Sequence, residues 1–241
     1  MIEVEIPELF GAERTAWDVV LDLADAAMPR WVLAGGLMVH LHLYEAGATP
    51  HRATTDVDAI VDVSVRALRA TEEFSRRLQD DLHMRMSPPA AGDVGHRFTR
   101  DDGAAVDVLA ADFGRRSRPH LTIPPARTVE VPGGRELVAA GEEVRVIHDG
   151  RSGVVERPSL VFAIVGKWRA FSEIVDDRRD PDRHVRDVAR LLTVVDPDAV
   201  AVTTGQRKYL RRLLAEIEAR PELAAQDVDL TIDTLALLID S

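Results

Sequence analysis

The sequence predicts an α+β fold, in which a small mixed β-sheet with flanking helices is followed by a C-terminal helical bundle. Before residue 158, short apolar or alternating segments bounded by glycine and proline are typical of strands. From Pro158 onward, apolar residues recur at helical spacing. We therefore expect a core over residues 1–127, a β extension over 128–157 and a helical domain over 158–241.

The individual elements follow from periodicity and turn chemistry. Apolar residues at helical spacing predict five helices. These helices cover 12–27, 65–81, 158–174, 206–220 and 228–239. A further helix is expected to begin at Asp180-Pro181, which offers good capping chemistry. Thr128–Val131 and Glu143–Ile147, with the Gly133-Gly134 turn between them, predict strands that extend or cap the sheet.

Composition narrows the classes of protein. The chain has 241 residues and no cysteine, which excludes disulfides and thiolate metal sites. The histidines lack the spacing of a zinc site. No apolar run reaches the roughly 18 residues of a membrane helix, and the acidic N-terminus does not have the order of a signal peptide. A soluble cytoplasmic protein without a membrane partner is expected. The net charge of −11 argues against broad binding of nucleic acid but not against local contact with an RNA end.

Residues 31–63 contain the most informative stretch. A short apolar run, Trp31–Ala34, leads into the pair Gly35-Gly36 and then into a predicted helix over Leu37–Ala46. Glycine lets a backbone turn approach a ligand closely. The free N–H groups and positive dipole end of the following helix suit phosphate. The stretch therefore predicts a phosphate-binding turn.

A strand predicted from Asp56 to Val63 opens with two aspartates. Alternate residues of a strand share a face, so Asp56 and Asp58 point the same way, about 6–7 Å apart. Two such carboxylates can bind a divalent metal ion through oxygen. An Asp-x-Asp pair at a strand start is also often merely solvated. Its position shortly after a phosphate-binding turn favours nucleotide chemistry with magnesium.

These residues resemble a known family. The glycine pair followed by Arg52-x-Thr54-Thr55-Asp56-x-Asp58 is similar to the nucleotidyltransferase superfamily of the DNA polymerase beta type, and within it to the AbiEii-like toxin group. The resemblance implies a nucleotidyltransferase-like core over 1–127 and Mg²⁺, with two ions expected. It also implies nucleotide contacts from Gly35, Gly36, Arg52, Thr54 and Thr55, and a third carboxylate on a later strand.

Asp107 is the expected third carboxylate. Asp102-Gly103 between two alternating segments predicts a hairpin, and the returning strand Ala105–Ala110 carries Asp107 among apolar residues. One interpretation is an edge strand with a wet polar face. The other, which we favour, is that the hairpin brings Asp107 beside the first two aspartates as a catalytic and metal-binding residue. Asp112 is the alternative candidate.

Lys167 interrupts an apolar stripe on the 158–174 helix. Of the 30 basic residues, only Lys167 and Lys208 are lysines. Lys167 either extends along the helix margin to solvent or presents a compact charge to a triphosphate. The resemblance favours the second interpretation, because AbiEii-like proteins carry a helical lysine followed by basic residues and an Arg-Asp or Lys-Asp pair. Here those positions are Arg169, Arg178, Arg179 and Arg186-Asp187.

Asp187 is therefore a further expected catalytic residue, although an Arg-Asp pair on a helix is more often a surface ion pair. The basic start of the helix over 206–220 is either a solvated face or a contact for a polynucleotide acceptor.

The expected activity is transfer of a nucleoside monophosphate from a nucleoside triphosphate to an acceptor hydroxyl. The resemblance implies an RNA acceptor, such as a tRNA end, and a cognate antitoxin protein as partner. A small-molecule acceptor, as in aminoglycoside nucleotidyltransferases, and a non-catalytic nucleotide-binding module on the same fold are the alternatives.

Overall fold

The computed structural model describes residues 1–64, 69–88, 93–112, 119–173, 182–224 and 228–240. In these residues the protein is a mixed α+β structure with two sheets and eight α-helices. The helices are α1 Gly11–Asp25, α2 Gly35–Glu45, α3 Ala70–Asp80, α4 Gly134–Ala139, α5 Leu160–Glu173, α6 Asp182–Leu192, α7 Thr204–Ala219 and α8 Val228–Asp240. In the described ranges, no helix combines the length and the apolar character that crossing a membrane requires.

The larger sheet contains the stretch that dominates the sequence. Its strands are β2 Trp31–Ala34, β3 Val57–Val61, β4 Arg85–Met86, β5 Arg97–Thr99, β6 Ala105–Ala111 and β7 Val129–Val131. The order is β2-β3-β6-β5-β4, and β7 pairs with the second half of β6. The β3–β6 pair is parallel, whereas β2–β3 and β5–β6 are antiparallel. This mixture of directions matches the mixed sheet that the sequence predicts.

The hairpin between β5 and β6 forms as predicted. Gly103 adopts a positive φ of 89°, which glycine tolerates without steric cost. The carboxylate of Asp102 accepts a hydrogen bond from the backbone N–H of Ala104 (3.1 Å), which fixes the turn locally. The turn sets the register of the two strands, and the register decides which residues face each other.

A second, three-stranded sheet contains β1 Ile2–Glu5, β8 Gly141–His148 and β9 Arg151–Pro158 in the order β1-β8-β9. The sequence reasoning did not predict β1, which pairs in parallel with β8. The region 128–157 does not form one extension, because β7 belongs to the larger sheet while β8 and β9 belong to the second. The expected Gly133-Gly134 turn also begins α4, which was not predicted.

An ion cluster around one buried arginine connects α2 to the second sheet. Arg157 on β9 is almost fully buried, and its guanidinium donates to Glu45 at the end of α2 and to Glu142 on β8. Nearby, the Nε2 of His42 lies 3.0 Å from the carbonyl oxygen of Pro158. Burial lowers the pKa of His42 to about 3, so the ring is neutral and its Nε2–H can donate to that carbonyl. These contacts fix the axis of α2 and hence its N-terminus.

The C-terminal helices pack against this assembly as predicted by their periodicity. The capping box at the start of α7 uses Thr203 and Gln206, which satisfy each other's backbone N–H groups. Helices α5 and α6 pack against each other and against α2, so they form a wall beside the edge where α2 begins. Residues 65–68, at the predicted start of the 65–81 helix, lie outside the described residues, and the described part of that helix is α3. The capping pair Asp180-Pro181 also lies outside the described residues.

Candidate functional site

Four strands of the larger sheet contribute one row of paired residues. Ala34 on β2 pairs with Asp58 on β3, and Asp58 pairs with Asp107 on β6. Asp107 in turn pairs with Arg97 on β5. Paired residues on neighbouring strands lie about 5 Å apart and present their side chains on the same face. The row therefore gathers two aspartates and one arginine on one face of the sheet.

The glycine pair brings backbone against this row. Gly35 follows Ala34 directly and has a positive φ of 63°. A Cβ atom on Gly35 would lie 1.6 Å from the Oδ2 atom of Asp58, and one on Gly36 would lie 2.4 Å from the Oγ1 atom of Thr54. No larger residue fits at either position without displacing its neighbour. The N-terminus of α2 thus opens next to the Asp58 carboxylate, where its first N–H groups are available to a ligand.

The three predicted aspartates come together. Asp58 and Asp107 are neighbours in the row, and Asp56 lies just before β3. The Oδ2 atoms of Asp56 and Asp107 are each 2.7 Å from the same nitrogen, Nη2 of Arg97, so they lie no more than about 5.4 Å apart. The Nε of Arg97 also donates to Oδ1 of Asp107 at 2.8 Å. Arg97 therefore joins two of the three carboxylates.

Asp58 has an unusual proton affinity. Burial, together with the negative charges of Asp56 and Asp107, raises the pKa of the Asp58 carboxyl to about 7. Lys167 and Arg97 oppose this rise but do not cancel it. Conversely, the paired carboxylates raise the pKa of Arg97 further above its ordinary value. The sheet side of the site thus carries more negative charge than its own cations neutralise.

A second charged cluster faces the first from α5 and α6. Asp187 on α6 is 1% exposed and accepts hydrogen bonds from Nε and Nη2 of Arg52 at 3.0 and 2.9 Å. Its Oδ2 also accepts from Nζ of Lys167 at 2.8 Å. Burial opposes ionisation of Asp187, but Lys167 and Arg52 outweigh it and hold the pKa of that carboxyl well below its usual range. Asp187 is therefore a fixed anion that orients two cations.

The loop that carries Arg52 is itself held from α2. The Nε2 of His40 lies 3.0 Å from the carbonyl oxygen of Arg52. Burial lowers the pKa of His40 to about 4, so a neutral ring can donate its Nε2–H to that carbonyl. Thr54 is buried against Gly36, whereas Thr55 is exposed and does not line the cleft described next. Of the two predicted threonines, Thr54 is thus the one near the site.

Residues of both charged clusters line one cleft of about 480 Å³. This volume lies within the range of ligand-binding pockets in proteins. Its polar lining includes the glycine pair, the three aspartates, both cations that contact Asp187 (Arg52 and Lys167), and also His96 and His184. Its apolar lining was not predicted and includes Leu109, Val129, Val131, Leu137, Ala163 and Ala170. The cleft thus combines a charged half with an apolar half.

The structure decides between several interpretations left open by the sequence. Asp107 is 3% exposed and lies on a strand that is paired on both sides, so the edge-strand interpretation is wrong. Asp112 lies beyond the end of β6 and does not line the cleft. Lys167 is 6% exposed and does not extend to solvent. Asp187 is buried, so it does not belong to a surface ion pair.

Two basic positions named by the resemblance, Arg178 and Arg179, lie outside the described residues. A third, Arg169, is engaged elsewhere, because it pairs with Glu136 and Glu173 and lies over the ring of Tyr209 at 5.4 Å. On α7, three of the basic residues, Lys208, Arg211 and Arg212, are exposed. Both interpretations of that helix remain predictions.

The carboxylates have the donor chemistry of a divalent-cation site, since hard cations take oxygen ligands. A cation, the guanidinium of Arg97, already lies between two of them. As they stand, no three His, Asp or Glu side chains of the described ranges are arranged to hold a metal ion. Asp56, Asp58 and Asp107 are therefore the residues that could bind Mg²⁺, with Arg97 displaced.

Sequence reasoning missed Arg97, although a signal was available. A hairpin centred on residue 102 pairs positions whose numbers add to 204, which places residue 97 opposite Asp107. Arg183 and His184 were also missed, because only tertiary packing of α6 brings them to the cleft. The apolar half depends on the unpredicted placement of β7 and α4, for which the sequence offers no comparable signal.

Comparison with known proteins adds no relative. No protein family model matches the chain, and no curated protein matches it.

The first prediction tests the close approach of α2 to its neighbours. Gly36→Ala should lower the free energy of unfolding by about 1–3 kcal/mol, because the new methyl group displaces Thr54. Gly205→Ala is the matched control, since its Cβ would meet nothing closer than 3.9 Å and alanine favours helix. Urea unfolding measures both variants. A Gly36→Ala protein as stable as the wild type would contradict the described packing.

The second prediction concerns Asp187 and pH. Asp187→Asn should cost about 3–5 kcal/mol at pH 7, because it leaves buried cations without their anion. The folded pKa of Asp187 is depressed, so its contribution is complete above the ordinary pKa of about 3.9 and is lost as the pH falls toward the folded value. The stability gap between wild type and variant should therefore narrow below about pH 4, by up to about 1.4 kcal/mol per pH unit.

Urea unfolding at pH 7 and pH 3 measures this gap. Glu173→Gln, which removes an exposed partner of Arg169, should change stability by less than about 1 kcal/mol at either pH. A gap for Asp187→Asn that stays constant between the two pH values would show that Asp187 is not the ionised centre of the cluster.

Proposed function

We propose that this protein is a metal-dependent nucleotidyltransferase of the DNA polymerase beta type, close to the AbiEii-like group. It transfers a nucleoside monophosphate from a nucleoside triphosphate to an acceptor hydroxyl, with an RNA 3′ end as the first acceptor to test. The observation that carries the proposal is the pairing of Asp58 with Asp107 directly beside Gly35, at the N-terminus of α2. This pairing combines an anion-binding helix end with carboxylates suited to a divalent cation.

Different residues around the cleft would bind different parts of the substrate. The triphosphate would lie against the backbone of Gly35 and Gly36 at the start of α2. Lys167 and Arg52, both oriented by Asp187, would balance its negative charge from the opposite wall. The apolar half of the cleft is lined by residues such as Leu109 and Leu137 and is suited to the base and sugar. Each half of the cleft thus has a matching part of a nucleotide.

The carboxylates would bind Mg²⁺ and serve the reaction. Asp56, Asp58 and Asp107 would hold the metal, which supplies charge neutralisation for the phosphates and the developing oxyanions. The acceptor oxygen forms a bond to the α-phosphorus as the bond to pyrophosphate breaks, and Asp107 accepts the hydroxyl proton. Pyrophosphate then leaves. Positioning and neutralisation of charge account for most of the catalysis in this class of reaction.

The deciding experiment supplies each α-labelled nucleoside triphosphate in turn, with total RNA, in Mg²⁺ or in EDTA. The proposal expects Mg²⁺-dependent label on RNA 3′ ends and release of pyrophosphate. Label that appears only on added aminoglycosides or other small hydroxyl compounds would replace the RNA acceptor with a small-molecule one. Nucleotide binding without transfer to any acceptor would overturn the enzymatic proposal in favour of a binding module.

A third prediction concerns Asp58. Asp58→Ala should lower the transfer rate at least about 100-fold, the order seen when a charge contact of the transition state is removed. Without metal, the variant should be at least as stable as the wild type at neutral pH, because removal of the Asp58 carboxylate relieves its repulsion with Asp56 and Asp107. Thermal melting in EDTA measures the second effect. Wild-type turnover would remove Asp58 from the mechanism, and loss of a cooperative melt would assign it a structural role.

A fourth prediction separates a substrate role of Lys167 from a role in packing. Lys167→Met keeps the apolar stem and removes the charge, so triphosphate affinity should fall about 10- to 100-fold, as expected for loss of a hydrogen bond to a charged group. Lys167→Arg should restore only part of the affinity, because a planar fork does not replace a compact ammonium in a buried position.

Lys208→Met, at an exposed position of α7, is the matched control for Lys167 and should bind the triphosphate as the wild type does. Calorimetry with a non-hydrolysable triphosphate measures all four proteins. Equal affinities of the four proteins for the triphosphate would restrict Lys167 to its ion pair with Asp187. The charge of the triphosphate would then be balanced by Arg52.

A further inference from the structure

Arg97 lies in the middle of the acidic cluster with a well-defined geometry. Its Nε and Nη2 atoms donate to the two oxygens of Asp107 at 2.8 and 2.7 Å, which is a bidentate pair. The same Nη2 donates to Oδ2 of Asp56 at 2.7 Å. One nitrogen thus bridges the carboxylate of Asp107 on β6 and that of Asp56, just before β3.

This bridge and a metal ion are mutually exclusive. A divalent cation that joined the Oδ2 atoms of Asp56 and Asp107 would lie about 2.0–2.6 Å from each of them. Nη2 of Arg97, 2.7 Å from both atoms, already occupies the space between them. The positive charge of the guanidinium would also repel an ion so close to it. Arg97 must therefore leave before the two aspartates can share a metal.

Arg97 is able to leave without unfolding the sheet. Its side chain is 34% exposed, whereas that of Asp107 is 4% exposed, so the guanidinium lies on the open side of the pair. Its backbone stays in register with Asp107 through the β5–β6 pairing, which does not depend on the position of the side chain. A change of rotamer toward solvent therefore suffices.

We propose that Arg97 is an internal counter-cation of the metal site, which a divalent ion must displace from Asp56 and Asp107. In the metal-free protein it offsets part of the negative charge of the cluster and holds Asp56 and Asp107 together. When a metal ion binds, the guanidinium moves to the mouth of the cleft. The inference rests on the metal-binding part of the proposed function. It predicts that Arg97 lowers the affinity of the site for a metal ion, whereas a residue that supported the site would raise it.

The test measures binding of Mn²⁺ alone, without nucleotide, by electron paramagnetic resonance of the free ion. Arg97→Ala should bind Mn²⁺ at least about tenfold more tightly than the wild type, because it removes both a competitor and a repulsive charge. Arg97→Lys, which keeps the charge but loses the bidentate fork, should lie between them. The matched control is Arg100→Ala on the same hairpin, whose side chain pairs with Asp22 and Asp102, and it should bind as the wild type does.

Thermal melting gives a second readout. In EDTA, Arg97→Ala should melt below the wild type because Asp56 and Asp107 lose their shared cation, and saturating Mn²⁺ should remove this difference in melting temperature. Unchanged or weaker Mn²⁺ binding by Arg97→Ala, or absence of binding in every variant, would overturn the inference. Tighter binding by Arg97→Ala would support it even if the transfer assay fails, so the two proposals can fail separately.

Discussion

The site depends on strand register. Backbone pairing across four strands places Ala34, Asp58, Asp107 and Arg97 in one row, and every charged contact on the sheet side follows from that row. If any of these strands shifted by one residue, its residue in the row would be replaced by a neighbour whose side chain points to the other face. The apolar neighbours of Asp107, Val106 and Val108, are fully buried on the far face and hold the register in place. Hydrophobic packing on one face therefore positions the chemistry on the other.

The opposite wall is positioned by charge. Asp187 accepts from Arg52 on a loop and from Lys167 on α5, so one buried carboxylate fixes the relative positions of three separate segments. Burying such a cluster is favourable only when each charge has partners. The two walls thus differ in kind: one is set by a β-ladder, which is rigid, and the other by ion pairs, which a bound anion can rearrange.

Much of this could be predicted from local patterns. Helical periodicity predicted α1, α5, α7 and α8 to within a few residues, and the Asp102-Gly103 turn predicted the hairpin that brings Asp107 to the site. What could not be predicted depends on long-range pairing. The pairing of β1 with β8 and the cluster of Arg157 with Glu45 join segments more than 100 residues apart. The partners of Asp187 likewise come from separate segments, and its pairing with Arg52 and Lys167 was not predicted.

The parallel pairing of β1 with β8 has a consequence for biosynthesis. Val4 pairs with Val146, so 142 residues separate the two partners. At a translation rate of about 5–20 residues per second, β1 waits on the order of ten seconds for its partner. During that interval Ile2 and Val4 belong to an unpaired, partly apolar strand, which is the kind of segment that can pair with another chain. The larger sheet, whose strands β2 to β6 lie within 81 residues of one another, can assemble first and offer α1 a surface. Of the strands described, the first to be made is thus among the last to be paired.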